Sequence, residues 1–354
     1  MDNLLYTFVI PAYNGEKYLD ISTHSLVNDR ILEEKLMGLY EIIIINDGST
    51  DNTSSKAKAI AKRWNDQIRP DFIKVIDKKN GQYGSVINRG IKEAKGKYFK
   101  VLDCDDTFHV ESFIQTLHIT KSIEHPVDII FTDHTFEKIG TDQSILQSLR
   151  KNFVPYKITK VAEQKFPNDV VTMHSIIYRT QFLKDINYNQ VEGVFYSDSQ
   201  YSLLPTTQAK TMYYIKVPLY RYYIGRQEQS INLKVMVKNR VDQIIVLEKI
   251  ITSIDFSKMK SKKVIKNAIL FIRRMIQWQA MIIAFDKTIK HKNIEILSLI
   301  KVVKLHQPKY ASKILNSLFF WVVRPVRGRF ICKIIVVGAK IYARFKKNIL
   351  AEWD

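Results

Sequence analysis

The feature that most constrains the fold is an alternation, over about the first 135 residues, of short apolar runs with longer polar stretches. The apolar runs are rich in β-branched residues and lie at Tyr6–Ile10, Glu41–Ile45, Phe72–Ile76, Tyr98–Leu102 and Asp128–Thr132. Stretches with helical spacing, such as Thr53–Trp64 and Ser85–Ala94, lie between them. Strands that alternate with helices predict an α/β fold with a mostly parallel sheet. The scarcity of polar residues within the runs indicates strands that are buried on both faces.

The pattern changes near residue 233, where helical spacing of apolar residues takes over and Gly almost disappears until Gly328. A chain of 354 residues with 46% hydrophobic residues is long enough for two domains. We therefore predict an α/β catalytic domain over residues 1–232 and a mostly helical region over residues 233–354. Cys104 and Cys332 lie far apart in sequence, so no disulfide framework is expected and a reducing compartment is the default.

The net charge of +20 is concentrated at one end of the chain. Residues 255–354 contain 22 Lys and Arg against 5 Asp and Glu, a net charge of +17, and residues 1–254 hold only +3. Such asymmetry indicates an anionic partner surface, either nucleic acid or membrane. A helical core with a solvated basic exterior is the alternative.

The densest cluster of acidic residues comes directly after the run that ends at Leu102 and comprises Asp103, Asp105 and Asp106. Carboxylates this close repel one another, and partial burial at a strand end adds to the cost. A hard divalent cation such as Mg²⁺ or Mn²⁺, which takes its remaining ligands from substrate phosphates, would offset the repulsion. The alternative is a solvated turn in which Asp106 caps a helix.

Two other strand ends carry polar side chains. Asp47 follows the second run, where Ser49 or Thr50 could instead cap the next helix, and Tyr13 follows the first, after Pro11 ends the strand. Asp47 could accept a hydrogen bond from the imide of a nucleobase, and the ring of Tyr13 offers a face for stacking. Because parallel strands end at one edge of a sheet, all three strand ends should converge on one ligand site.

Four motifs resemble family 2 glycosyltransferases in their order and spacing: Val9–Asn14, Ile45–Thr53, Asn80–Gly90 and Leu102–Asp106. The resemblance covers about residues 4–235 and implies the GT-A fold, a nucleoside-diphosphate sugar donor, a divalent metal and inversion at the anomeric carbon. It assigns the metal to Asp103 and Asp105. It assigns donor binding to Pro11, Tyr13, Asn14, Asp47, Gly48, Asn80, Gly84, Asp103 and Arg226.

The resemblance also implies a general base about 90–100 residues after the acidic cluster. Asp198 occupies that position, with Glu192 as the alternative base and a helix N-cap as the alternative role for Asp198. The segment Leu219–Ser230 resembles the loop that closes over the donor, where Arg226, or less favourably Arg221, could pair with the diphosphate. His174 could line an acceptor pocket or serve a structural role.

The C-terminal region favours a membrane over nucleic acid. Aliphatic and aromatic groups such as Leu318–Val323 are interleaved with basic residues from Arg324 to Lys347, as in interfacial segments on anionic lipid, and no nucleic-acid-binding pattern is present. Neither a signal peptide nor a membrane-spanning helix is predicted. We expect a cytoplasmic protein that associates peripherally with the inner face of the membrane.

The sequence thus predicts an inverting transferase that moves a sugar, most simply from a UDP-sugar, to a lipid-linked or polysaccharide acceptor in cell-surface polysaccharide biosynthesis. A metal-dependent nucleotidyltransferase is the enzymatic alternative, although it would normally have a Gly-rich basic loop after the first strand, which Pro11–Gly15 is not. The other alternative is a non-catalytic lipid- or nucleic-acid-binding scaffold with a degenerate nucleotide-sugar site.

Overall fold

A computed structural model describes residues 4–316 with the exception of 169, 227–228 and 287. The chain divides into two compact units. The first takes up Met1–Pro167, Val171–Gly193 and Ser197–Tyr223, and the second takes up Asn168–Val170, Val194–Tyr196 and the chain from Ile224 onward. The continuous part of the second unit therefore starts nine residues before the predicted boundary at residue 233, and the unit includes two short earlier segments.

Ten strands within the described part of the chain form one sheet. They are β1 (Tyr6–Ala12), β2 (Tyr40–Asn46), β3 (Ile73–Asp77), β4 (Tyr98–Val101), β5 (Thr107–Phe108), β6 (Ile129–Lys138), β7 (Ser144–Gln147), β8 (Thr159–Lys160), β9 (Ile176–Arg179) and β10 (Thr211–Ile224). Their order in the sheet is β3-β2-β1-β4-β9-β6-β10-β5, with β7 paired to β6 and β8 paired to β10.

Twelve α-helices lie within the described residues. They are α1 (Leu19–His24), α2 (Asp29–Glu33), α3 (Thr53–Gln67), α4 (Gln82–Glu93), α5 (Val110–Lys121), α6 (Thr180–Asp185), α7 (Asp198–Gln208), α8 (Leu233–Lys238), α9 (Arg240–Ser253), α10 (Lys262–Phe285), α11 (Lys292–His306) and α12 (Pro308–Ile314).

The strands β1 to β4 form the parallel half of the sheet. β1 pairs in parallel with β2 on one side and β4 on the other, and β2 pairs in parallel with β3. Every residue of β2 is buried, as its Ile-rich sequence predicts for a strand covered on both faces. The predicted α/β class is confirmed, and the sheet continues beyond β4 through β9 and β6, which pair antiparallel.

An aromatic cluster packs beneath the parallel half. The Phe8 ring contacts the rings of Tyr40, Phe108 and Phe113 edge to face, with centroids 5.3–5.6 Å apart, and stacks on Tyr6 at 5.1 Å. Edge-to-face and offset pairs of this kind are favourable beyond their buried area. This core fixes β1, β2 and α5 together and so positions the strand ends that follow.

The second unit is helical where it is described. Its central helix α10 buries one long apolar face, which includes Ile272, Ile276 and Ile283. By length and composition, α10 is a helix that could cross a membrane, but 61% of its most apolar window is buried within the structure, as in the core helix of a globular unit. The predicted basic membrane segment after residue 316, including Leu318–Val323, lies outside the described residues.

Candidate active site

The loops after β1 and β2 are joined by short hydrogen bonds. The backbone N–H of Asp47 donates to the Ala12 carbonyl at 2.8 Å, and the backbone N–H of Asn14 donates to Ser49 Oγ at 2.9 Å. In return, the Thr50 backbone N–H donates to the Asn14 side-chain oxygen at 2.9 Å. Asn14 sits in the left-handed region at φ 49°, which Asn tolerates better than most residues. Two of the predicted strand ends therefore form one continuous rim.

Asp47 is buried at this rim and held by a basic partner. Its Oδ1 accepts hydrogen bonds from Lys78 Nζ at 2.6 Å and from the backbone N–H of Gly81 at 3.0 Å. Lys78 Nζ also donates to Ser85 Oγ and to the Lys79 carbonyl, both at 2.7 Å. The lysine therefore compensates the buried carboxylate charge and fixes its orientation. The same contacts bring the segment from Gly81 beside the loop after β2.

Glycines allow close approach at this rim. Gly48 has φ +71°, and a Cβ there would lie 2.8 Å from the backbone nitrogen of Asn80. Gly84, in α4, lies so close to the backbone of Val191 that a Cβ would fall 1.9 Å from its carbonyl oxygen. Only glycine fits these two positions without displacement of the neighbouring backbone. The predicted donor residues Gly48 and Asn80 thus approach each other closely, and Asp47 is bonded to Gly81, the residue after Asn80.

The acidic cluster after β4 is tied to tyrosines from distant segments. Asp103 Oδ1 accepts a hydrogen bond from Tyr83 at 3.0 Å, and the Asp103 backbone N–H donates to the Tyr220 hydroxyl at 3.2 Å. Tyr220 in turn donates to Asp106 Oδ2 at 2.8 Å. The other oxygen of Asp106 accepts from the backbone N–H of Tyr223 at 2.9 Å. Asp106 therefore anchors the antiparallel strand β10 against the end of β4.

Like charges and burial make the ionised form of Asp103 costly. Burial, helped by the negative charges of Asp105 and Asp198, raises the pKa of the Asp103 carboxyl to about 7. Burial together with the charges of Asp105 and Asp103 also raises the pKa of Asp106 well above its usual range. A cation placed among these oxygens would relieve the repulsion. The alternative of a solvated turn does not describe Asp106, which is buried.

The side chains at this point fit a divalent metal. One ligand atom each from Asp103, Asp106 and His174 lies within 4.8 Å of the others. Burial lowers the pKa of His174 well below its usual range, so its imidazole is neutral and can act as a ligand. Oxygen-rich donor sets of this kind suit Mg²⁺ or Mn²⁺. Both oxygens of Asp106 accept protein hydrogen bonds, and the assignment of the metal to Asp103 and Asp105 stays a prediction.

His174 is held in place by a buried lysine. Lys100 is fully buried on β4, and its Nζ donates to the carbonyls of Met173, His174 and Ile176 at 2.7–3.1 Å. Burial lowers the pKa of Lys100 to about 7. The imidazole stacks on the Tyr222 ring with centroids 4.3 Å apart. The structure thus places His174 beside the acidic cluster, a position that the sequence did not predict, and its acceptor role stays a prediction.

The two candidate bases have different surroundings. Asp198 begins α7, and its charge acts on both Asp103 and Tyr83, which places its carboxyl near the acidic cluster. Burial raises the pKa of Asp198. Glu192 is exposed, and its Oε1 accepts a hydrogen bond from Asn88 Nδ2 at 2.8 Å. Of the two, Asp198 is the carboxylate that belongs electrostatically to the site.

The remaining predicted residues fall into two groups. Pro11 lies within β1 opposite Ile45, and the ring of Tyr13 is exposed just beyond the strand. Arg226 belongs to the second unit, where its backbone N–H donates to Gln229 Oε1 at 3.1 Å. The weaker candidate Arg221 is paired with Glu137 at 3.1 Å within the sheet. The diphosphate role of Arg226 stays a prediction.

Sequence reasoning missed several residues of the site. Lys78 directly follows the predicted strand Phe72–Ile76 and its neighbour Asp77, so the strand-end argument that found Asp47 could also have found it. Tyr83 and Tyr220 carried no comparable signal, because their hydroxyls reach Asp103 only through the fold. Asp106 was predicted as a member of the acidic cluster, with a helix cap as the alternative, and its bonds to Tyr220 and Tyr223 were not.

The sheet, its strand-end site and the comparisons with known proteins define a GT-A fold. The model of the glycosyl transferase family 2 matches residues 7–186, just over half of the chain. The chain therefore belongs to glycosyl transferase family 2, which decides against the nucleotidyltransferase as a class.

Among solved structures, TarS 1-349 of S. aureus in complex with UDP-GlcNAc matches with a TM-score of 0.67 at 16% identity, over 96% of this chain and 92% of that chain. At that identity the match shows the fold alone.

Among curated relatives, the minor teichoic acid biosynthesis protein GgaB of Bacillus subtilis is 25% identical over 307 residues, 85% of this chain and 32% of GgaB. The putative glycosyltransferase EpsH of the same organism is 28% identical over 233 residues, 63% of this chain and 62% of EpsH. An uncharacterized glycosyltransferase of Rickettsia bellii is 31% identical over 150 residues, 42% of this chain and 20% of that protein. The chain spans about a fifth to a third of the length of the first curated relatives that it matches.

Proposed function

We propose that this chain is an inverting glycosyltransferase that moves a sugar from a UDP-sugar to a lipid-linked or polysaccharide acceptor in cell-surface polysaccharide biosynthesis. One observation carries the proposal. The residues that the family motifs single out on three strands meet at a single edge of the sheet: Asn14 contacts Ser49, Asp47 contacts Gly81, and Tyr83, two residues further on, contacts Asp103. A rim of this kind, at the carboxyl ends of parallel strands, is where α/β sheets bind nucleotides.

Recognition of the base rests on Asp47. Lys78 and Gly81 both contact Oδ1, and the hydrogen bonds described for the carboxylate leave Oδ2 to accept the imide N–H of uracil. Cytosine presents an acceptor at the same ring position, so an ionised Asp47 would discriminate against it. Tyr13, exposed at the end of β1, supplies a face on which the base can stack. The UDP-GlcNAc complex of TarS, which shares the fold, supports the choice of a uridine donor.

The diphosphate lies, in this proposal, at the end of β4. Asp103 and Asp105 would hold Mg²⁺ or Mn²⁺, which when bound neutralises the charge that develops on the leaving diphosphate. Tyr83 orients Asp103 through its hydroxyl, and Tyr220 joins the backbone of Asp103 to the Asp106 carboxylate. Arg226 is proposed as a second group for the diphosphate.

Asp198 is the proposed general base. Inversion by single displacement requires one carboxylate to take the proton from the acceptor hydroxyl as the new bond forms. Desolvation raises the pKa of Asp198, which brings its basicity closer to what that proton transfer requires. Glu192, exposed and bonded to Asn88, is the less favourable choice.

The proposed acceptor is supported by a relative of this chain, and the proposed membrane location is supported by the distribution of its charge. GgaB, a minor teichoic acid biosynthesis protein, supports an acceptor that belongs to a cell-surface polymer. The strongly basic chain from Asp255 onward supports association with an anionic membrane on its cytoplasmic side. His174 is proposed to line the acceptor side of the acidic cluster.

The proposal is tested by donor hydrolysis. The full chain is incubated with a panel of UDP-, GDP-, CDP- and TDP-sugars in the presence of Mn²⁺ or of a chelator, and release of the nucleoside diphosphate is followed. Metal-dependent release from UDP-sugars is expected. Release that is equal for all nucleotides, or that persists unchanged with chelator, would contradict the proposal.

A further inference from the structure

The helix α11 is unusual because it is apolar on two opposite sides. Its inner side carries the buried residues Ile296, Leu299, Ile300 and Val303, which pack within the second unit. Its outer side carries Ile294, Leu297 and Leu305, which are 60%, 47% and 70% exposed. A helix that faces water on one side normally presents polar residues there. The exposure of these aliphatic side chains therefore indicates that another surface covers them.

The exposed residues form a continuous stripe. Ile294, Leu297, Lys301 and Leu305 are separated by three, four and four residues, which places them on one face of the helix. We call these four residues the α11 outer face. Single exposed leucines are ordinary, but three large aliphatic side chains on one helical face form a patch of the kind that marks an interaction site.

The charge of this surface selects the partner. Lys301 lies within the α11 outer face, Lys304 follows one turn later, and both are exposed. The one acidic residue of α11, Glu295, lies off this face and is near Arg240, at 3.9 Å. Aliphatic side chains interleaved with lysines, and no carboxylate among them, match the interface of an anionic bilayer, where lysine stems reach from the apolar layer to the phosphate groups.

The positive charge of the α11 outer face argues against two other binding partners, the C-terminal part of this chain and a second copy of it. The chain from Ser317 to Asp354 contains eight Lys and Arg against two acidic residues, so it would be repelled by the lysines of α11. A second copy of this chain would bring the same lysines against themselves. An anionic lipid surface is the occupant that satisfies both the apolar and the basic side chains.

We propose that the α11 outer face docks on an anionic lipid bilayer. This inference deepens the proposed function and rests on its membrane association: within the basic chain from Asp255 onward, it identifies one helix face as a docking surface. Sugar transfer itself does not depend on it.

The test compares vesicle binding of three full-length proteins. The face variant carries Ile294→Ser, Leu297→Ser and Leu305→Ser. A matched control carries Ile139→Ser, Leu146→Ser and Val154→Ser, which remove exposed aliphatic side chains from the first unit. Binding is measured by sedimentation with vesicles of equal phosphatidylglycerol and phosphatidylcholine, and with vesicles of phosphatidylcholine alone.

The wild-type chain and the control are expected to bind the anionic vesicles, and the face variant to bind on the order of 100-fold more weakly. A second variant, Lys301→Gln with Lys304→Gln, should bind roughly 25-fold more weakly, because each basic residue near such a surface contributes about fivefold. Since all substituted side chains are exposed, thermal unfolding should match the wild type, and donor hydrolysis should be unchanged.

Three results would overturn the inference. If the face variant binds anionic vesicles as tightly as the wild type, membrane association stands but α11 is not the docking surface. If the wild type binds no vesicles, both fail, while donor hydrolysis still reports on the transferase separately. If the wild type is a dimer by light scattering and the face variant a monomer, with no vesicle binding by either, the occupant is a second copy.

Discussion

The strand-end rim of the first unit and the outer face of α11 in the second unit differ in how their energetically costly side chains are compensated. At the rim, costly buried groups are matched within the chain: Asp47 by Lys78, and Asp106 by Tyr220 and the backbone of Tyr223. On α11, exposed aliphatic side chains and lysines have no counterpart among the described contacts of the chain. The Asp47 end of the rim is therefore held by contacts within the chain, while the acidic cluster at the end of β4 keeps like charges that a cation would relieve. The α11 outer face has the composition of a surface that is completed by something else.

The difference shows where binding energy can be used. A side chain that is held by contacts within the chain, as Asp47 is by Lys78, loses little conformational entropy when the donor binds. More of the binding free energy is then available for recognition of the donor and for stabilisation of the transition state. On an exposed amphipathic face, the side chains contribute to the free energy of interfacial binding roughly independently, so their contributions add and single substitutions are tolerated. Substitutions at the rim should thus have large and specific effects on catalysis, and those on the α11 outer face should not.

The largest effect is expected for the proposed base. Asp198→Asn keeps the shape of the side chain but cannot accept the proton of the acceptor, so the rate of sugar transfer should fall by about 10³-fold. Binding of UDP should change little. The measurement is transfer to acceptor under saturating donor, with Asp185→Asn, an exposed carboxylate of the same unit, as the control.

Glu192→Gln tests the alternative general base. Because Glu192 is exposed and bonded to Asn88, transfer should stay within a fewfold of the wild type. Loss of activity in Glu192→Gln but not in Asp198→Asn would exchange the roles of the two carboxylates.

A smaller effect is expected for Lys78, which pairs with Asp47 at the proposed nucleobase site. Lys78→Met leaves the buried Asp47 carboxylate without its charged partner, so KM for the donor should rise by about 10- to 100-fold while kcat changes less. Lys78→Arg should restore part of the affinity. The control is Lys58→Met, which removes an exposed ion pair with Asp77 nearby and should be almost silent. Equal effects of Lys78→Met and Lys58→Met would contradict the role of Lys78.

The smallest effect concerns stability. In Gly84→Ala the new Cβ would overlap the carbonyl of Val191, so the backbone must shift, at a cost of about 1–3 kcal/mol in the free energy of unfolding. Gly38→Ala places a Cβ where no atom lies within 4 Å and should be neutral. Denaturant unfolding of the two variants provides the comparison. Equal midpoints would show that α4 and the Val191 segment are not in close contact.

The sequence predicted the elements of the parallel half well, because strands buried on both faces have a strong pattern. The predicted runs Glu41–Ile45 and Phe72–Ile76 differ from β2 and β3 by one residue at each end. The convergence of Asp47 and Asp103 on one edge also followed from parallel strands. Contacts between distant segments could not be predicted in this way, because Tyr220 reaches Asp103 and Asp106 from a strand that lies more than 100 residues away. Lys100 reads in the sequence as an ordinary charged residue, and only the fold shows that it is buried.

The most direct test of the rim as a metal-dependent nucleotide site is UDP binding by calorimetry, with and without Mn²⁺, for the wild type and for Asp105→Ala. The wild type should bind UDP at least about tenfold more tightly with Mn²⁺, since an ion held by Asp103 and Asp105 would supply positive charge for the diphosphate. Asp105→Ala should bind UDP alone as the wild type does and lose the enhancement by Mn²⁺. An enhancement that is the same in both proteins, or absent from the wild type, would contradict the account.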